Sequence, residues 1–115
     1  MKKHGQSLDK IIERTSELKQ VRKDEVHFGD LVVISTQNSV YSIRVLDKGF
    51  YLVSGGWFEQ QGLAPHKIRI AGCTWGSSII KMDIIAACGL CLEFSNRLVT
   101  SPIKEFSVMP SGLQN

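Results

Sequence analysis

The longest apolar run in this sequence is nine residues, Ile84 to Leu92. A helix that crosses a bilayer needs roughly 20, so no membrane span is expected. The basic start, MKKHGQS, is not followed by an apolar stretch. Leu8, Ile11 and Ile12 are interleaved with charge, so no secretory signal is expected either. Cysteine is scarce and odd in number, three in all, which suggests no disulfide framework. The expectation is a cytoplasmic protein with reduced thiols.

Catalytic residue types are also thin. A serine nucleophile needs a base and an orienting acid. The chain has three histidines and no G-x-S-x-G elbow. The hydroxyls of Ser35, Thr36 and Ser39, and of Ser77 and Ser78, read as turns. The glycines at 55, 56, 62, 72 and 76 match neither a P-loop nor a dinucleotide fingerprint. The carboxylates Asp30, Asp47, Glu59, Asp83, Glu93 and Glu105 are scattered one per segment. Asp83 and Glu93 have apolar neighbours and would meet only if their strands were adjacent. Solvated outward positions are the preferred reading. No catalytic residue and no cofactor is assigned, and a non-enzymatic role is preferred.

What remains is the composition of one globular domain. The chain has 115 residues, 43% hydrophobic and 22% charged. Its net charge of +3 is unevenly placed. Residues 1–24 hold seven basic and four acidic groups, and residues 25–115 hold seven of each. The basic character therefore belongs to the N-terminal segment.

Residues 8–22 place Leu8, Ile11, Ile12, Thr15 and Leu18 on one stripe at helical spacing. Ser7 is a suitable N-cap, and Lys19, Arg22 and Lys23 suit the negative end of the dipole. An amphipathic helix is expected there, docking on the body or self-associating. From Phe28 onward the period changes to two. LVVIST, VYSIRVL and FYLVS form a predicted three-stranded meander, with Tyr41, Ile43 and Val45 on one face. Asn38 and Ser39 suit the first turn, and Asp47-Lys48-Gly49 the second. WFEQQGLAP reads as a loop. HKIRIAGCTW, IIKMDIIAAC, LCLEFS and LVTS through IKEFSVM read as further strands, with a bulge or bend at Gly72. Short turns disfavour parallel β-α-β units.

The predicted fold is mainly β: a small antiparallel barrel or sandwich of about seven strands after an N-terminal helix. Residues 1–24 form the helical and basic segment, 25–109 a single β domain and 110–115 a frayed tail.

Cys88-Gly-Leu-Cys91 has the spacing of zinc knuckles and thiol redox sites. In one continuous strand the two side chains point to opposite faces, with Cα atoms roughly 10 Å apart, too far for a disulfide. The preferred reading is structural thiols, with Cys73 a small core residue. The alternative is a metal or thiol site built from Cys73, Cys88, Cys91 and one of His66, His27 or His4, with His66 preferred.

The aromatics leave three readings. Trp57 and Trp75 follow strand ends and either plug a barrel or anchor a protein interface. With Tyr41, Phe50 and Tyr51 beside Arg44, Lys67 and Arg69, some form a candidate stacking surface for single-stranded nucleic acid. The leading functional expectation is a non-catalytic interaction or adaptor module, self-associating through the N-terminal helix or a sheet face. Its candidate contact residues are Leu8, Ile11, Ile12, Leu18, Trp57, Trp75, Arg44 and Arg69. Nucleic acid is the second partner class, and no membrane partner is expected.

Overall fold

The computed structural model describes residues 20–75 and 79–113. Nine strands and one short helix lie among them: β1 (Gln20–Arg22), β2 (Leu31–Thr36), β3 (Val40–Val45), β4 (Phe50–Gly55), α1 (Gly56–Gln60), β5 (His66–Thr74), β6 (Ile80–Lys81), β7 (Ile84–Ala87), β8 (Cys91–Phe94) and β9 (Val99–Met109). The meander β2-β3-β4 forms where period two predicts it, with Val32, Ile34, Tyr41, Ile43, Val45, Tyr51 and Val53 inward and buried.

Further antiparallel pairings run β4–β5, β5–β8, β8–β9 and β9–β2. The last of these returns to the first strand. Six strands therefore close into a barrel, which leaves β6 as the terminal strand of that sheet. β6 extends β5 as a hairpin, and β7 pairs with β1 in a separate two-stranded ribbon. No described helix is long and apolar enough to cross a membrane.

Three local features depart from the sequence pattern. IIKMDIIAAC does not form one strand, because Met82 and Asp83 turn the chain between β6 and β7. Met82 faces solvent, whereas Ile84, Ile85, Ala86 and Ala87 are all buried. A strand covered on both faces loses its alternation, so period two could not identify it. Second, β9 shifts register against β2: Ser35 faces Glu105, but Thr36 faces Ile103. The extra residue, Lys104, puts Ile103 and Phe106 both inside rather than on opposite faces. Third, Gly55-Gly56 ends β4 as expected, but the following stretch is the helix α1 rather than a loop. The bulge expected at Gly72 is present: Ile70 pairs with Phe94 and Gly72 with Glu93, leaving Ala71 extra. A Cβ on Gly72 would run into the Lys81 carbonyl, so the close β5–β6 approach requires glycine.

The N-terminal helix is not supported. Residues 1–19, with Leu8, Ile11, Ile12 and Leu18, lie outside the described residues. Gln20–Arg22, predicted as the helix's last residues, is a strand. Gln20 and Val21 pair with Ala87 and Ala86, and Lys23 N donates to Asp83 O at 2.8 Å. Val21 is buried between two exposed neighbours. Pairing with β7 satisfies this backbone and buries Val21 at once, which outweighs the weak helical pattern. Residues 111–113 form a 3-10 turn, and Ser111 N donates to Asp30 Oδ1 at 2.9 Å.

Candidate functional site

The cysteine pair does not lie in one continuous strand. β7 ends at Ala87, Leu90 N donates to Ala87 O at 3.2 Å, and β8 starts at Cys91. Gly89, at φ 90°, turns the chain between the two thiols. The opposed-face argument for Cys88 and Cys91 therefore fails, although both are free and half-buried. Cys73 is fully buried, and burial pushes its thiol up to about 12, only partly offset by the Ala87 N–H that faces it. Such a thiol is a poor nucleophile and a poor ligand. His66 stands at the far end of β5 from Cys73 and stacks on Phe58 with centroids 5.6 Å apart. Seven residue steps of strand separate His66 from Cys73 by roughly 23 Å. Among the described residues no three His, Cys, Asp or Glu side chains gather to hold a metal.

The barrel end next to α1 is plugged by Phe58, not by a tryptophan. Phe58 is fully buried and meets Phe94 edge-on at 5.0 Å and Tyr41 at 6.4 Å. Trp57 lies half-buried against it at 5.3 Å. Trp75, at the end of β5, plugs nothing: it is 59% exposed. Ile79 and Met82, 63% and 68% exposed, belong to the same corner, where Thr74 pairs with Ile80 and Thr74 Oγ1 donates to Ile79 O at 2.7 Å. Lys81 Nζ lies 5.6 Å from the Trp75 ring centroid, a cation–π contact. Ile79 and Met82 were not singled out in the sequence: period two put Met82 in phase with Ile80 and Ile84 on one face of a single strand.

A second surface lies on the outer face of β3-β4-β5. Register places Arg44 beside Leu52 and Leu52 beside Lys67, and in the next row Phe50 beside Arg69. Arg69 Cζ stands 4.2 Å from the Phe50 centroid and Lys67 Nζ 4.9 Å from it. Gly49 makes room for the guanidinium, since a Cβ there would stand 2.9 Å from Arg69 Nη1. Arg44 Nη1 donates to Gly29 O at 2.9 Å. The structure thus brings Arg44 and Arg69 to one face and adds Phe50 and Lys67 to them. Trp57 and Trp75 are elsewhere.

The remaining polar groups serve structure. Asp30, almost fully buried, accepts from His27 N at 2.8 Å as well as from Ser111 N. Thr36 and Ser39 close the β2–β3 turn through mutual hydrogen bonds. Lys23 Nζ donates to Ile70 O at 2.7 Å, and burial pulls its pKa below the ordinary lysine value. Asp83 sits exposed in the β6–β7 turn, 3.9 Å from Arg22, while Glu93 lies on β8 between β5 and β9. These two carboxylates do not face each other. Comparison with known family models, curated proteins and solved structures gives no match for this chain.

Proposed function

We propose that the protein is a non-catalytic interaction module that associates with a second copy of itself through the corner formed by β5, β6 and the β6–β7 turn. The observation that carries this reading is the exposure of Trp75, Ile79 and Met82 within one hairpin and the turn after it. Large apolar groups exposed together mark interaction surfaces, and tryptophan is among the strongest interface anchors. β6, only two residues long, is the terminal strand at this corner and offers little backbone for pairing, so side chains must supply most of the contact. The scattered carboxylates and the buried Cys73 favour binding over catalysis.

Light scattering on the full chain over a range of concentrations tests the proposal. Association is expected in the wild type and is expected to be lost in Trp75→Ser/Met82→Ser, with the folded core intact by near-ultraviolet dichroism. A wild-type chain that stays monomeric at every concentration would remove the proposal.

A further inference from the structure

Residues 25–115 are formally neutral, but their charge is segregated. Of their seven basic groups, Arg44, Lys67 and Arg69 lie on the outer face of β3-β4-β5. The outward positions of these strands include no acid, and the β3–β4 turn adds one charge of each sign, Asp47 and Lys48. Among the described residues, neither Lys67 nor Arg69 forms an ion pair with a carboxylate. Instead both lean on Phe50, and Gly49 leaves space for the Arg69 guanidinium. Holding two cations on one ring lowers the entropy lost when they engage an anion. Ser42 and Ser54, paired across the same face, add two hydroxyl donors.

We propose that this face binds single-stranded nucleic acid. The phosphates would meet Lys67, Arg69 and Arg44, and a base would stack on the Phe50–Arg69 pair. Cations, hydroxyls and a flat π surface on one sheet face suit a phosphodiester strand, whose bases stack on aromatic rings and on guanidinium planes alike. Arg44 and Lys67, two strands apart, span roughly 10 Å, enough for adjacent backbone contacts. This surface is distinct from the Trp75 corner, so the two proposals stand or fall separately.

The test is fluorescence anisotropy of a labelled oligothymidylate with the full chain over a series of salt concentrations. Binding that weakens with salt is expected. Lys67→Ala and Arg69→Ala should each weaken binding severalfold and lower the salt slope by about 0.7, the share of one released counterion on a single strand. Phe50→Leu should weaken binding with little change in slope, because it removes stacking rather than charge. Lys104→Ala, on β9 across the barrel from β4, should bind like the wild type. Absence of binding, or binding unchanged in Lys67→Ala/Arg69→Ala, would overturn the proposal; in the second case the basic residues 1–24 carry the affinity. An oligoglutamate that competes as well as the oligonucleotide would also overturn it, in favour of an acidic polypeptide.

Discussion

The carboxylate of Asp30 holds the backbone N–H of Ser111, 81 residues further along the chain, at 2.9 Å. Its other oxygen holds His27 N, and its own carbonyl accepts from Val45 N at 2.9 Å. One side chain thus ties the entry to β2 to the C-terminal turn. Asp30→Ala strips two amides of their acceptor and should cost about 2 kcal/mol or more. Asp30→Asn keeps one acceptor oxygen and should cost less. Urea unfolding measures both. Amide exchange at Ser111 should accelerate in the alanine variant even under native conditions.

Phe58 and Trp57 are neighbours with unequal roles. Phe58 fills the barrel end against Tyr41 and Phe94, so Phe58→Ala should destabilise by about 3–5 kcal/mol. Trp57 is only half-buried, and Trp57→Ala should cost less than half of that. Equal losses would show that the two rings share the plug.

Cys73 ties stability to alkaline pH. Its thiol stands near 12 in the folded chain against 9.0 ordinarily. Between those values the unfolded chain has released the proton and the folded chain still holds it. Stability therefore falls as pH rises above 9, by about 1.4 kcal/mol per pH unit, and nothing is lost below it. Cys73→Ala removes the titration and leaves only a small cavity. Between pH 8 and 10 the wild type should lose more stability than the variant in chemical denaturation, on the order of 1 kcal/mol. In the native protein Cys88 and Cys91 should react with a thiol reagent, and Cys73 only after unfolding.

The place of β1 is open to a direct comparison. A chain starting at Gln20 retains the pairing of Val21 with Ala86 and the contacts of Lys23 to Asp83 and Ile70. A chain starting at Glu25 loses them and uncovers β7. The shorter chain should be less stable by about 3 kcal/mol or more, from one buried valine side chain, the two Lys23 hydrogen bonds and the β1–β7 ladder. Equal urea midpoints would show that the strand contributes nothing to the barrel.

These cases show where local pattern suffices. Between Leu31 and Gly55 one sheet face is wet and the other dry, so alternation in the sequence records the fold directly. The second turn is legible at Gly49, which takes the positive φ expected of it, whereas the positive φ of Lys48 has no signal in the sequence. Arg44 and Arg69 were identifiable as outward cations from phase alone. Their shared face was not, since it depends on which strands pair.

Composition and periodicity by themselves determined a mainly β chain with a three-stranded meander and a bulge at Gly72. Tertiary structure decided the closure of six strands into a barrel, the double burial of Ile84–Ala87 and the recruitment of Gln20–Arg22 as a strand. It also selected Phe58 over Trp57 as the plug and gathered Phe50, Lys67 and Arg69. Alternation along a strand reports only which side of a sheet is dry, whereas each of these outcomes depends on contacts between residues distant in sequence.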